Sequence, residues 1–509
     1  MTRVVVVGAG LGGLAVAARL AATGHDVTVC EQADRVGGKL GLHVEGGFRF
    51  DTGPSLVTMP QALHELFAAT GAPLDEVLDV APVEPIARYR YADGTTFDAT
   101  ADRMRMAANL DAALGRGAGA QWDRFLDRAG AIWRAVEQPF LRSRLDGPGD
   151  LLRQSVRLRD LATIAPHRSL RGLGHRYLHD VRLRILLDRY ATYAGSDPRR
   201  APAALAAIPW AEQAFGAWYV PGGLYRIAEA VAERAEEHGA VIRTDCAVRA
   251  ILTDARRVTG VALADGSRLA ANVVVANADA RQVYDTLLTD RRARPARRRL
   301  RRTTPSLAGF VLLLGVRGKT PGLAHHNVLF PPDYDAEFEA LFGPSPRPVA
   351  DPTLYVAIPP DPAVAPPGHE AWFVLVNAPV HGRIDWRDPV LVKRYARHLL
   401  GLLAARGVDV RDRLTVRRVL SPADLEARTG AVGGAIYGTA SHGPGAAFLR
   451  PANRTPVPGL WLVGGSSHPG GGLPLVTWSA ELVARGIELQ HPRGGEAAAR
   501  STADRAHPG

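Results

Sequence analysis

The chain has 509 residues, of which 46% are hydrophobic and 22% are charged, a balance typical of a globular protein with more than one domain. Disordered, collagen-like and multi-spanning membrane chains are excluded, and Cys30 and Cys246, the only cysteines, cannot build a disulfide framework or a C-x-x-C metal site. The net charge of +11 favours contact with an anionic surface.

The first thirty residues predict a β-α-β unit. An apolar strand at Arg3–Val7 is followed by a helix from about residue 11 to 22 and by a second apolar strand at Asp26–Cys30. This order is the beginning of a doubly wound parallel sheet.

The turn between the first strand and the helix is Gly8-Ala9-Gly10-Leu11-Gly12-Gly13, a match to G-x-G-x-x-G. Its glycines permit a tight turn and a close approach of backbone to a pyrophosphate, and the helix N-terminus offers amides to phosphate. Glu31, at the end of the second strand, is spaced to accept hydrogen bonds from a ribose diol. The alternative is a β-α-β unit that binds no nucleotide.

Two further short blocks follow this unit. Arg35-Val36-Gly37-Gly38-Lys39 offers two cations to a pyrophosphate and two glycines that let backbone lie against a flat ring system. The second block is Phe50-Asp51-Thr52-Gly53-Pro54-Ser55. Simple nicotinamide dehydrogenases lack this pair of blocks. For Arg35 and Lys39 the alternative is a solvated surface charge.

The rest of the chain alternates between helical and strand-like stretches. From about residue 104 to 200 the periodicity is helical and rich in Arg, Leu and Trp. Beyond it the sequence predicts a helix at 225–238, strands at Val241–Arg243, 257–263, Val273–Ala276 and 459–463, a helix at 477–489 and a disordered tail at 491–509.

Several blocks together resemble a known family. They are the N-terminal blocks, Trp218-Tyr219-Val220-Pro221-Gly222-Gly223, Ala276-Asn277-Ala278-Asp279 and the closing run Leu460-Trp461-Leu462-Val463-Gly464-Gly465-Ser466-Ser467-His468-Pro469-Gly470-Gly471-Gly472-Leu473-Pro474. The chain resembles, over nearly its whole length, the flavin-dependent carotenoid desaturases of the phytoene desaturase type, within the amine oxidase and GDI-like flavoprotein group.

The resemblance implies an α/β fold with a Rossmann-like FAD-binding domain of the GDI/amine oxidase type. A mixed β-sheet and helices would form a substrate- and membrane-facing domain. We expect residues 1–100, 216–300 and 445–490 to form the discontinuous FAD-binding domain, 101–215 a helical insertion and 301–444 the substrate-binding domain. The residues from 491 onward would be the tail.

The resemblance also implies roles for the closing block. It places Gly464, Gly465, Gly471, Gly472 and Leu473 beside the flavin, and Val248 against the adenine through its backbone. His468 would lie near the flavin ring as an acid or base, although a His beside Pro and Gly is more often a turn residue. In such enzymes hydride transfer to the flavin carries the chemistry, with quinone or oxygen as the final acceptor. No metal site is expected.

The substrate implied by the resemblance is a carotenoid or related polyprenoid, with the enzyme of the phytoene desaturase type or, from the blocks Arg189–Tyr193 and Gly434–Gly438, of the late-acting 3,4-desaturase type. Tyr190, Tyr193, Trp210 and Trp218 are candidates for the lining of its tunnel, with packing in the protein core as the alternative. Residues 151–189 carry nine arginines against three aspartates, which suits an anionic bilayer surface, or else a solvated helix face. Because no run of 18 apolar residues occurs, we expect a cytoplasmic protein associated peripherally with the inner face of the cell membrane.

Other functions on the same scaffold stay open. They are a carotenoid isomerase, an end-group oxygenase, a saturase, an amine or porphyrinogen oxidase and a GDI-like carrier of prenyl lipids without flavin. No nucleic-acid-binding motif is present, so a nucleic acid is not an expected partner. The residues leave open the exact carotenoid and the oligomeric state.

Overall fold

The computed structural model describes residues 1–146, 149–150, 162–443, 446 and 448–491. Within them the strands are β1 Arg3–Val7, β2 Asp26–Cys30, β3 Leu42–Glu45, β4 Phe48–Asp51, β5 Ala81–Val83, β6 Ala87–Arg90, β7 Thr96–Ala99, β8 Ala217–Tyr219, β9 Val241–Arg243, β10 Val248–Thr253, β11 Val258–Leu263, β12 Arg268–Ala270, β13 Val273–Ala276, β14 Ala308–Arg317, β15 His326–Leu329, β16 Leu354–Ala357, β17 His369–Ala378, β18 Leu414–Leu420 and β19 Leu460–Leu462.

The helices of the same residues are α1 Leu11–Ala22, α2 Gln61–Ala69, α3 Leu74–Val77, α4 Arg103–Leu114, α5 Ala118–Val136, α6 Leu170–Tyr177, α7 Val181–Arg189, α8 Ala207–Phe215, α9 Tyr225–Glu237, α10 Ala280–Gln282, α11 Arg294–Arg301, α12 Asp335–Phe342, α13 Pro389–Ala405, α14 Pro422–Thr429 and α15 Leu473–Gln490. None of them combines the length and apolar character that crossing a bilayer requires.

Valine-rich β1 lies at the centre of a five-stranded parallel sheet in the order β19-β13-β1-β2-β9. Strands buried on both faces are expected to be continuously apolar, and four of the five β1 side chains are buried. Helices α1, α9 and α15 pack together on one face. The antiparallel sheet β10-β11-β12 covers the other face.

A second, seven-stranded sheet has the order β18-β14-β17-β16-β15-β6-β7. Its pairs are antiparallel except for β15 and β6, so it is mixed. The long strands β14 and β17 form its centre, and α13 packs against one face through the cluster that includes Trp372, Leu399 and Leu403. The Rossmann-like sheet, the mixed sheet and the helices between residues 103 and 215 match the predicted α/β fold.

Three predictions on the elements need correction or comment. Helix α15 begins at Leu473, four residues earlier than predicted, because Pro474 is compatible with the first turn of a helix. Strands β6 and β7 pair in the seven-stranded sheet although the predicted division placed residues 1–100 with the cofactor domain. The predicted tail from 492 onward and residues 151–161 of the arginine-rich stretch lie outside the described residues.

Candidate active site

A cavity of about 600 Å³ lies between the five-stranded and the seven-stranded sheets. Val7 and Val463 line it from the first sheet and its loops, and Val311 and Leu375 line it from the second. The volume is in the range of sites for cofactors and drug-sized ligands. The wall has a part built from glycine-rich backbone and a part built from apolar side chains.

The glycine turn after β1 opens directly onto this cavity. Gly8, Gly10 and Gly12 line the wall, and α1 begins there without a side-chain cap or an acidic residue in its first turn. The first N–H groups of a helix have no partner within it, so these amides suit an anionic group. Behind the wall, a Cβ on Gly13 would lie 2.1 Å from the Gly8 carbonyl oxygen, which explains the third glycine.

A second helix begins at the same cavity, far away in sequence. Gly471, Gly472 and Leu473 line the wall, and α15 also begins without a side-chain cap. A Cβ on Gly471 would lie 2.4 Å from Cδ1 of Tyr437, so this close backbone approach requires glycine. Two uncapped helix ends on one cavity fit a dinucleotide that extends from one to the other.

Glu31 connects the glycine turn to the end of β2. One carboxylate oxygen accepts a hydrogen bond from the Ala9 amide at 2.7 Å, and the other accepts one from the Ala33 amide at 2.9 Å. Each oxygen retains a second lone pair, so the carboxylate can also accept from a sugar hydroxyl. Val248 also lines this end of the cavity. Two residues before it in the chain, the Cys246 amide donates a hydrogen bond to the Glu31 carbonyl at 2.7 Å.

Two cations hold the loops around the second glycine block. The Lys39 ammonium donates to the carbonyls of Ala435 at 3.0 Å and Ile436 at 2.6 Å, and burial lowers the Lys39 pKa. Arg450 donates to the Tyr437 carbonyl at 2.7 Å and the Gly465 carbonyl at 3.2 Å. Burial lowers the Arg450 pKa to about 10. Both residues line the cavity. Lys39 is therefore not the solvated surface charge that was the alternative for it.

The apolar part of the wall comes from the helical segment and from the loops near the C-terminus. It includes Trp133, Val136, Leu141, Leu205, Ile208 and Phe448. No charged group is among these six side chains. This part is therefore suited to a hydrocarbon and poorly suited to water.

Two charged side chains outside the predicted site residues also line the cavity. Arg189 and Glu212 are both buried, and Glu212 accepts hydrogen bonds from Tyr190 at 2.6 Å and Tyr193 at 3.2 Å. The available signal was a single carboxylate in the otherwise uncharged sequence of α8. A residue of this kind is buried only with hydrogen-bond partners.

A chain of hydroxyl and imidazole groups leaves the cavity from Ser55. Its Oγ lies 2.6 Å from the Tyr355 hydroxyl, which lies 2.9 Å from His326 Nδ1. His325 precedes β15, and its ring stacks on the ring of His326 with centroids 4.2 Å apart. Burial lowers the His326 pKa well below its usual range and that of His325 to about 4.

Most of the predicted cofactor residues are on the cavity wall. They are Gly8, Gly10, Gly12, Glu31, Gly37, Gly38, Lys39, Gly53, Pro54, Ser55, Val248, Gly464, Gly465, Gly471, Gly472 and Leu473.

Three others lie elsewhere. Gly13 is behind the turn, and Arg35 is 48% exposed and paired with Asp34 at 3.2 Å. Asp51 accepts from the amides at the start of α9 at 2.8 and 3.0 Å, so it caps that helix.

His468 is buried behind the wall rather than on it. Its Nε2 lies 2.9 Å from the Ser143 carbonyl, and burial lowers the His468 pKa to about 4. His468 therefore bonds to backbone within a turn, which was the alternative to a role as an acid or base. Among the described residues, no three His, Cys, Asp or Glu side chains are arranged to hold a metal ion.

One of the four predicted tunnel residues, Tyr193, lines the cavity. Tyr190 supports Glu212 from behind, and Trp210 stacks on Trp133 with centroids 5.4 Å apart, so Trp133 occupies the wall instead. Trp218 donates its Nε1 hydrogen to the Phe215 carbonyl at 2.7 Å and lies off the wall.

Comparisons with known proteins agree with this site. Residues 11–487 match the model of the flavin containing amine oxidoreductases, and the chain belongs to that family. FAD is accordingly its cofactor, and the chain is an oxidoreductase.

Within the family it belongs with carotenoid desaturases and oxygenases. The 4,4'-diapolycopene oxygenase of Methylomonas sp is 36% identical over 488 residues, covering 94% of this chain and 97% of the relative. The 1-hydroxycarotenoid 3,4-desaturase of Flavobacterium sp. is 32% identical, with 95% and 98% covered. The zeta-carotene-forming phytoene desaturase of Myxococcus xanthus is 33% identical, with 98% and 97% covered.

Solved structures share the fold at low identity. Putrescine oxidase bound to putrescine is 15% identical with a TM-score of 0.66, covering 96% of this chain and 98% of that one. Rab GDI of Plasmodium falciparum is 12% identical with a TM-score of 0.50, covering 82% and 88%. The predicted GDI/amine oxidase type of fold is confirmed.

Proposed function

We propose that this protein desaturates a carotenoid or a related polyprenoid. The observation that carries the proposal is one cavity whose wall joins two uncapped helix ends to an apolar region. A charged dinucleotide fits the first part and a hydrocarbon chain fits the second, so the cavity holds both reactants together. The relatives named above act on carotenoids according to their names, which supports this substrate class.

The residues of the wall have distinct roles in this proposal. The amides after Gly10 and Gly472 bind the phosphates, Glu31 binds the ribose, and the Val248 backbone meets the adenine. Lys39 and Arg450 fix the loops against the flavin ring. Bound FAD supplies the hydride acceptor for removal of hydrogen from adjacent carbons. The apolar lining excludes water from the reacting carbons.

The test is anaerobic reduction of the purified holoenzyme. Lycopene or neurosporene in liposomes should bleach the flavin absorption while the polyene absorption shifts to the red, and the fully saturated C40 hydrocarbon should do neither. An Ile208→Trp variant, which fills the apolar region, should keep its FAD and lose the reaction. Val390→Trp is the matched control, because Val390 is 70% exposed on α13.

Each outcome separates the alternatives. Flavin that stays oxidised while the polyene changes only its isomer composition would favour an isomerase, and a product that gains oxygen would favour an oxygenase. A colourless protein that binds prenyl lipid would favour the GDI-like carrier.

We further propose that the enzyme draws its substrate from an anionic membrane face. Helix α11 carries exposed arginines. It lies beside the loop that contributes to the apolar region of the cavity, and its Arg299 donates a hydrogen bond to the Leu449 carbonyl of that loop at 3.0 Å. Leu449 is 42% exposed, and its neighbour Phe448 lines the cavity. A hydrocarbon leaving a bilayer at this point avoids water.

Co-sedimentation with vesicles tests the membrane proposal. Replacing Arg294, Arg298 and Arg302 with Gln should weaken binding to anionic vesicles roughly 100-fold, since each cation contributes about 1 kcal/mol. The control removes the same charge elsewhere, by replacing the exposed Arg394 on α13 and Arg417 and Arg418 on β18 with Gln. The electron acceptor is a quinone or oxygen, and anaerobic turnover with added quinone distinguishes the two.

A further inference from the structure

One carboxylate lies within the apolar part of the cavity wall. Glu212 is 4% exposed, and it shares the wall with Leu205, Ile208 and Ala211. Ile208 and Glu212 are four residues apart on α8, so their side chains project from the same face of the helix. The carboxylate therefore lies beside the region that suits a hydrocarbon.

Two tyrosine hydroxyls hold this carboxylate in place. Tyr190 donates to one oxygen at 2.6 Å, and Tyr193 donates to the other at 3.2 Å. Burial, together with the negative charge of Glu212, raises the pKa of Tyr190 well above its usual range, so its hydroxyl keeps its proton and remains a donor. Each carboxylate oxygen retains a second lone pair. Glu212 is thus an oriented anion that can still accept a proton.

Carboxylates are few on this wall. Among its described residues they are Glu31, Asp279 and Glu212, and no histidine is among the same residues. Glu31 accepts from two amides at the nucleotide end, and Asp279 accepts from the Arg281 amide at 2.9 Å as the cap of α10. A neutral tyrosine hydroxyl is a far weaker proton acceptor than a carboxylate. Glu212 is therefore the anion of the described wall that is placed to take a proton from a hydrocarbon.

The carboxylate is also connected to the second glycine block. Tyr193, which donates to Glu212, belongs to a short 3-10 turn that is followed by Gly195. A Cβ on Gly195 would lie 3.0 Å from Cδ2 of Tyr437, and a Cβ on Gly471 would lie 2.4 Å from Cδ1 of the same ring. The turn that positions Glu212 thus packs beside the block against which we propose that the flavin lies.

We propose that Glu212 is the base that takes the second hydrogen of the substrate as a proton. In the proposed desaturation, on which this inference rests, a hydride leaves an allylic carbon and reduces FAD, and a cation delocalised along the polyene remains. The neighbouring C–H bond then breaks. Its electron pair forms the new C=C bond, and its proton binds to a Glu212 oxygen. Reoxidation by a quinone or oxygen takes up the hydride and this proton, which restores the carboxylate. The negative charge of Glu212 also stabilises the cation in a site that excludes water.

The experiment measures product formation in a single anaerobic turnover of the holoenzyme. The substrate is a polyene that reduces the wild-type flavin, deuterated either at the allylic carbon or at its neighbour. In the wild type, deuterium at the allylic carbon should slow the reaction, and deuterium at the neighbour should have little effect because the cation loses its proton readily.

Glu212→Gln should lower the rate at saturating substrate about 100- to 10,000-fold. It should also acquire an isotope effect at the neighbouring carbon, because proton loss then limits the reaction. Glu212→Asp, which keeps a carboxylate, should retain part of the rate.

Glu337→Gln is the matched control. Glu337 is likewise a buried carboxylate with two donors, the Thr353 amide at 2.9 Å and the Asn377 side-chain amide at 2.7 Å, but it does not line the cavity. Its replacement should leave the isotope pattern of the wild type unchanged. FAD content and thermal unfolding of each variant show whether it is folded.

The outcomes separate this inference from the proposed function. A folded Glu212→Gln variant that holds FAD and has the wild-type isotope pattern would overturn the inference alone, whatever its rate, because Glu212 would then act only on the shape of the wall. If that variant is too slow to measure, Glu212→Asp provides the same comparison. A wild-type enzyme that converts no polyene and keeps its flavin oxidised would refute the proposed function and the inference with it.

Discussion

Replacement of Gly13 by Ala is expected to weaken FAD binding strongly although it adds a single methyl group. The new Cβ would lie 2.1 Å from the Gly8 carbonyl oxygen and 3.1 Å from Asn277 Cβ. Ordinary van der Waals contact begins at 3.4 Å, and the atom in the way is backbone rather than a mobile side chain. The first turn of α1 must therefore move outward by about 1 Å.

That displacement acts on the amides that would bind the pyrophosphate. Overpacking of this kind costs about 1–3 kcal/mol, and each 1.4 kcal/mol corresponds to a factor of about ten in Kd. We expect FAD affinity to fall roughly 10- to 100-fold. The measurement is a fluorescence titration of the apoprotein with FAD, together with the ratio of flavin to protein after purification.

Gly401→Ala is the matched control. Gly401 lies inside α13, and beyond its chain neighbours and the backbone of its own helix nothing lies within 4 Å of its added Cβ. Ala in place of Gly in a helix interior should stabilise the fold by about 0.5–1 kcal/mol and leave FAD affinity unchanged. A Gly13→Ala protein with the wild-type Kd for FAD would refute the reasoning.

Three further predictions concern buried polar groups. Glu31→Gln replaces one accepting oxygen by an NH2 group that faces a backbone N–H. The apoprotein should therefore bind FAD about ten times more weakly, and an unchanged Kd for FAD would contradict this prediction. Because burial lowers the His468 pKa from 6.5 to about 4, stability present above pH 6.5 is lost as the pH falls towards 4. The fall in the free energy of unfolding between pH 7 and pH 4, measured in urea, should be about 3 kcal/mol smaller for His468→Gln than for the wild type. An equal fall in both proteins would count against this prediction. Arg450→Met leaves three carbonyls without a donor, so urea unfolding should show a loss of about 2–4 kcal/mol and flavin should be released more readily; equal stability would exclude this role.

The β-α-β unit was predictable to the residue. Strands β1 and β2 and helix α1 have the predicted bounds, because apolar strands buried on both faces and the glycines that end them are local signals. The glycine blocks were recognisable for the same reason, since a close approach of backbone leaves glycine little alternative.

The substrate region was less predictable because it depends on contacts across the chain. Arg189 and Glu212 reach the cavity wall from two different helices, α7 and α8, and Glu212 lies in no motif. Asp51 belongs to a motif that suggests cofactor binding, yet it caps α9, more than 170 residues away. Local pattern identifies the residue type that a cap requires but not the helix that it caps.

The order of strands in the five-stranded sheet has a consequence for synthesis of the protein. β19 is the outer neighbour of β13 and is followed in the chain by α15. Helix α15 packs against α1, which lies in the first thirty residues. The second glycine block therefore reaches the first only after Leu473 has left the ribosome. A translation product that stops before Gly464 lacks one side of the cofactor site, so retention of flavin distinguishes chains that include this block from chains that do not.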